Sequence, residues 1–286
     1  MLKLQTPVQV SPGKVGVSYS DSLLVLGSCF ADNIGARLSA YGFDVCVNPF
    51  GTLYNPVSVA NAAARLQSAL PFTERECVEM GAGAGLVCSF SHHTSFARRT
   101  SEQFLAEANA SLETACRHWA RANKVIITLG TAFCYRNISS GEVVSNCLKR
   151  PAKEFSREML SVGTVTLLLE NLVRRYPDKE FIFTVSPIRH MADGAHANQL
   201  SKSTLLLAVQ SLSEKVNADY FPAYEIMMDE LRDYRFYAED MVHPSVQAIE
   251  YIWERFCDYS LAPSDKETLI QKKKAWLFSQ HRPINL

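Results

Sequence analysis

Two short stretches far apart in the chain carry residues able to do chemistry together, Gly27-Ser28-Cys29-Phe30 and Asp240-Met241-Val242-His243-Pro244. A serine hydroxyl is a weak nucleophile at neutral pH. It needs a base within hydrogen-bond reach, and that base needs an orienting group. An Asp-x-x-His loop supplies base and orienter from one turn. An apolar run ends at Leu26, Gly27 permits an unusual turn, and a helical pattern follows. Ser28 is therefore expected at the carboxyl end of a strand and beside a helix N-terminus, where backbone N–H groups can face an oxyanion. Each stretch has a plainer explanation by itself. Gly-Ser turns commonly precede helices, and a loop histidine before a helix-opening proline is usually solvated. Taken as a set, they predict acyl transfer with Ser28 as nucleophile, His243 as base and Asp240 holding the imidazole.

Other residues compete for roles. Cys29 is a rival nucleophile, because a thiolate is intrinsically more reactive. It is ranked behind Ser28 because the residue after it is expected to point into the sheet–helix core. Arg189 and His190 follow the apolar run 180–185 and are expected to face the ligand end of the sheet. Arg189 could grip a carboxylate or phosphate with two parallel hydrogen bonds, or pair with a structural acid. His92 and His93 lie in a polar loop, with His92 taken as a substrate contact against the alternative of a solvated loop. Lys149 and Lys202 stay undecided. The spacing of His92, His93, His190 and His196 matches no metal-binding pattern, so no metal and no cofactor is expected.

The elements that must position these residues are strands alternating with helices. Apolar runs at 23–26, 43–47, 124–129, 180–185 and roughly 221–227 read as buried parallel strands. Helical patterns cover 31–40, 55–69 (Asn55 as cap and Pro56 at the first position), 100–121, 155–175, 201–216 and 244–259. This alternation predicts a parallel sheet covered by helices on both faces, with right-handed crossovers. Stretches 81–99 and 136–150 are less regular and are expected as loops or insertions over the site, the second a small hairpin turning at Ser140-Gly141. The tail from Pro263 reads as one helix against the body.

At 286 residues, 47% of them hydrophobic, the chain can bury the core of one large α/β domain. Its 29 basic and 29 acidic side chains cancel, which argues against a nucleic-acid partner. The run Lys272-Lys273-Lys274 reads as a solvated helix face. No apolar stretch has the length of a membrane span or a signal peptide. The eight cysteines show no C-x-x-C pair and no framework spacing, so reduced thiols and a cytoplasmic location are expected.

The segment LGSCFADNIG, from Leu26 to Gly35, resembles the signature of the GSCFA domain family, which is related to the SGNH/GDSL-type hydrolases. NPFGTLYNP, LGTAFCYR, SNCLKRP, TVSPIRH and DMVHPS extend the resemblance over most of the chain. It implies a single domain over 1–286 with a flavodoxin-like (SGNH-type) three-layer sandwich around a five-stranded parallel sheet. It matches Ser28 to the nucleophile and Asp240 with His243 to the closing block. It also implies an oxyanion hole built from the Ser28 N–H, Gly51 and an Asn, but Ala132 stands where that Asn is expected. Losing one such donor typically costs about 10²–10³-fold in turnover. Asn55, Thr131 and Asn146 are the candidates to replace it, Asn55 with a competing task as helix cap. The implied activity is a serine esterase acting on a small or carbohydrate-linked acyl ester. An O-acyltransferase with the same triad, or an inactive binding module on the same fold, are the alternatives.

Overall fold

The computed structural model describes residues 6–213, 216 and 218–280. The expected end of a helix near 216 therefore falls partly outside the described residues. The chain runs β1 (Ser22–Gly27), α1 (Cys29–Ala40), β2 (Asp44–Val47) and α2 (Pro56–Ser68), then a short ribbon of β3 (Val78–Glu79) with β4 (Val87–Cys88), and α3 (Ser101–Arg121). After β5 (Lys124–Leu129) comes an antiparallel trio, β6 (Phe133–Asn137), β7 (Val143–Val144) and β8 (Phe155–Met159), followed by α4 (Val162–Arg175). The last part is β9 (Glu180–Val185), α5 (Ala195–Ser213), β10 (Ala218–Tyr220), α6 (Ala223–Glu225), α7 (Val246–Ser260) and α8 (Pro263–Gln280).

Five strands pair in parallel in the order β10-β9-β5-β1-β2. This is the flavodoxin-like order, with its switch point between β1 and β5. Both faces of the sheet are covered, so its central strands are apolar throughout rather than alternating. Leu24 and Leu26 of β1 pack with residues of α2, α3, α4 and α5 in one core layer. Leu23 and Val25 of the same strand pack with Phe30, Ile34 and Leu38 of α1 and with Ile252, Trp253 and Phe256 of α7 in the other.

Local chemistry sets the element ends. The Asn55 side chain accepts from Ser58 N at 2.9 Å and Thr100 from Gln103 N at 3.2 Å, each capping its helix as the sequence suggests. Three expectations are corrected. Residues 155–175 are not one helix. Phe155–Met159 pairs antiparallel with β6, and the helix starts only after Ser161, whose hydroxyl accepts from Thr164 N at 3.1 Å. The fifth strand is Ala218–Tyr220, not 221–227. Pro222 lacks an N–H to continue a ladder, and the apolar residues beyond it coil, burying Ile226 and Met227 in the second core layer. Finally, α7 is capped by Ser245, while Pro244 bridges to Tyr237 instead of opening the helix.

The switch point is built by close approach. Gly27 has φ +134°, and a Cβ there would lie 2.1 Å from the Thr128 carbonyl oxygen. Ser28 N donates to that oxygen at 3.1 Å, and Gly27 N donates to Asn48 Oδ1 at 2.8 Å. Asn48 in turn donates through Nδ2 to Asp32 Oδ1 at 2.6 Å, tying the turn after β2 to α1. Gly27→Ala combines a backbone clash with a disfavoured φ. It is expected to destabilise the fold by on the order of 3 kcal/mol in urea denaturation. A loss below about 1 kcal/mol would mean that β1 and β5 can part at this point without consequence.

Candidate active site

Asp240 and His243 come together from their own turn. Asp240 Oδ1 accepts from the backbone N–H groups of Val242 and His243, both at 2.9 Å, and Oδ2 lies 2.6 Å from His243 Nδ1. Met241 adopts φ +57° to close this turn. The backbone N–H of His243, that of Val242 and the imidazole together hold the Asp240 carboxyl down at about 2. Asp240 is thus ionised at any ordinary pH, Nδ1 keeps its proton to donate to it, and Nε2 is the nitrogen left for a reactant. The Val242 carbonyl accepts from Arg189 N at 3.1 Å, so the loop after β9 braces this turn.

The strand end after β1 behaves differently from the sequence expectation. Ser28 is fully buried as the N-cap of α1. Its Oγ lies 3.1 Å from Thr128 Oγ1 and accepts from Phe30 N at 3.3 Å, and its N–H is turned to Thr128. A cleft of about 640 Å³ opens at this end of the sheet, lined by Cys29, Tyr54, Asn55, Thr131, Arg189, His190 and His243 among others, and Ser28 does not line it. Ser28, the expected nucleophile, stays out of this cleft, whereas one residue further on the half-buried Cys29 lines the cleft that holds His243 while also packing against the second core layer. Cys29 Sγ lies 3.3 Å from the Tyr54 hydroxyl, which accepts from Thr52 Oγ1 at 3.1 Å. Burial, with the hydrogen bond to Cys29, pushes the Tyr54 hydroxyl up to about 12, which keeps it a donor.

The expected oxyanion donors divide. Gly51 N donates to the Asn48 carbonyl at 2.7 Å, and Gly51 packs against His93, outside the cleft lining. The Ser28 N–H is likewise taken by Thr128. Asn55 and Thr131 both line the cleft. The Asn55 side-chain oxygen caps α2, so only its NH₂ end is left outside that task. Thr131 Oγ1 accepts from Phe133 N at 3.0 Å and meets Ser201 Oγ at 2.9 Å, while Thr131 N is given to the Tyr54 carbonyl. Ala132 is buried, its N–H donated to Ser201 Oγ at 2.7 Å. Asn146 lines the cleft as well, its side-chain oxygen accepting from Leu148 N.

Of the expected substrate contacts, Arg189 and His190 reach the cleft and His92 does not. His92 is fully buried among Phe50, Phe72, Phe96 and Phe104, with Nδ1 at 2.7 Å from Ser89 Oγ. Burial pushes its imidazole down to about 3, so it is a neutral core ring. The stretch 136–150 does reach the site, since Val144, Asn146 and Cys147 form part of the wall; none of 81–99 does. A larger groove of about 1010 Å³ lies between α2 and the β6–β7 hairpin, but neither histidine nor cysteine lines it.

Sequence reasoning missed Tyr54 and left Lys202 undecided. Tyr54 stands in the NPFGTLYNP stretch, where its position after the second strand was the available signal. Lys202 is fully buried on α5, with Nζ donating to the carbonyls of Gly130 at 2.6 Å and Ser186 at 2.8 Å, the residues that follow β5 and β9. Among the described residues no helix is long and apolar enough to cross a membrane.

Comparison with solved structures finds a protein from Streptococcus pneumonia assigned provisionally as a platelet activating factor, at 12% identity and TM-score 0.40 over 84% of this chain and 83% of that one. At that similarity nothing about chemistry is carried across. No curated protein sequence matches. The sequence profile of the GSCFA family matches residues 22–256, which takes in the whole central sheet, the strand-end turn at Gly27 and the Asp240–His243 loop. The chain belongs to the GSCFA family.

Proposed function

We propose that this chain is an acyl-transfer enzyme, an SGNH-like hydrolase in which the thiol of Cys29 takes the part expected of Ser28. The observation that carries this reading is that Cys29, and not Ser28, shares the cleft with His243. His243 Nε2 takes the thiol proton, and Sγ attacks the acyl carbonyl to form a thioester and a tetrahedral oxyanion on the way. The proton then passes from His243 to the leaving group. Water, deprotonated by the same nitrogen, attacks the thioester and releases the acid and free Cys29. Asp240 fixes the imidazole tautomer and stabilises the imidazolium. Cys29 opens α1, and the Tyr54 hydroxyl stands 3.3 Å from the sulfur. The Asn55 amide is the side-chain donor closest in role to the missing oxyanion Asn. An alcohol in place of water makes the same site an acyltransferase.

Labelling decides between the two nucleophiles. Brief exposure to 4-nitrophenyl acetate followed by peptide mass spectrometry is expected to place one acetyl group on Cys29. Ser28→Ala should keep that label and Cys29→Ala should lose it. An acetyl or fluorophosphonate adduct on Ser28, surviving in Cys29→Ala, restores the serine assignment. His243→Ala is expected to slow acylation by about 10²–10⁴-fold. It should leave stability within about 0.5 kcal/mol, because the ring is half exposed. Acylation at the native rate in that variant removes His243 from the base role.

A further inference from the structure

Two cations lie close together at the cleft, Arg189 in its wall and Lys202 enclosed outside it, and among the described residues neither pairs with an acid. Arg189 lines the cleft, and the Arg189 Nε is buried with no hydrogen-bond partner among the described residues. Lys202 stands close enough for the two charges to act on each other, fully enclosed, its Nζ bonded to main-chain carbonyls and 5.8 Å from the Tyr224 ring centre. The carboxylates nearby are committed elsewhere. Asp193 pairs with Arg157 on the opposite wall, Asp240 holds His243, and Glu225 accepts from the Tyr220 hydroxyl. The remaining neighbours of the pair are the hydroxyl of Tyr237, the ring of Tyr224, and His190, whose imidazole is pushed down to about 4 by burial and by Lys202. None of these offsets positive charge. Burying a guanidinium donor without an acceptor is costly, and two neighbouring cations add repulsion.

We infer that Arg189 seats a carboxylate carried by the substrate, with Lys202 behind it supplying a second positive charge, so that the acyl compounds taken by this cleft are anionic. The guanidinium fork matches a carboxylate with two parallel hydrogen bonds, and its one buried unpartnered donor is then satisfied. The inference deepens the acyl-transfer reading by naming the substrate class, and binding can be followed apart from turnover. It also couples binding to protons. Burial, with Arg189 beside it, pushes the Lys202 ammonium down to about 7. A bound anion favours the charged form, so binding takes up protons near neutrality, and affinity falls as pH rises through that range.

Calorimetry on Cys29→Ala protein, with monomethyl succinate as the anionic probe and dimethyl succinate as its neutral counterpart, tests this. The anion is expected to bind at least about tenfold more tightly at pH 6.5, on the scale of one charge-assisted pair. Arg189→Met should reduce that ratio below about twofold, and Arg189→Lys, which keeps the charge without the fork, should fall between. Circular dichroism melts establish that each variant is folded. Proton uptake, read from buffers of different ionisation enthalpy, should disappear in Lys202→Met. Equal affinity for the two probes, or a preference that survives Arg189→Met, overturns the inference. A preference that depends on Arg189, in a protein whose Cys29 never acylates, would leave the anion seat standing and remove the acyl-transfer reading instead.

Discussion

The contact between the ends of β1 and β5 governs the rest of the site. Gly27 lies so close to Thr128 that no side chain fits between them, and the next peptide is pinned by Ser28 N to the Thr128 carbonyl. From there the chain can only turn into α1, with Ser28 as its buried cap and Cys29 as the first helical residue, at the edge of the cleft. A doubly wound sheet places its crevice where neighbouring strands diverge to opposite faces. Here that crevice is the cleft, and Thr131 after β5 and Cys29 after β1 are its two banks. The bond from Asn48 to Gly27, and the one from Asn48 on to Asp32, make the second strand's turn part of the same knot.

Much of this was legible from residue types. The strands Lys124–Leu129 and Glu180–Val185 read to the residue because they are buried on both faces and bounded by polar or turn residues. The contact between Asp240 and His243 was legible because both sit in one turn, where spacing determines geometry. What failed depends on contacts distant in sequence. Residues 155–159 become a strand only because β6 is there to pair with them. The choice between Ser28 and Cys29 turns on one residue of rotation about the strand-to-helix junction, which is set by Thr128, a hundred positions away. His92 lies in a polar stretch yet folds among Phe96 of its own loop and Phe50, Phe72 and Phe104 from elsewhere in the chain, and those three are not announced by its neighbours.

Charge in the cleft is arranged in depth. At the mouth an ionised Asp240 steadies an imidazole in partial contact with water, where a pair of this kind orients more than it stabilises. Deeper in, the ends of β5 and β9 are joined by the Lys202 ammonium, which ties the carbonyls of Gly130 and Ser186 together. Arg189 stands between these levels and shares a backbone bond with the histidine turn. The inner lysine and the Asp240–His243 turn are thereby joined through a short run of main chain, from Ser186 to Arg189.

The antiparallel trio β6–β8 enters between β5 and α4 and pairs with none of the five parallel strands. It nevertheless supplies Phe133, Tyr135, Val144 and Arg157 to one side of the cleft. The parallel body and this wall of the cleft therefore belong to separate hydrogen-bonded sheets. Lengthening, shortening or resurfacing that wall would leave every ladder bond of the parallel body intact, so the width of the cleft can change without cost to the sheet that frames it.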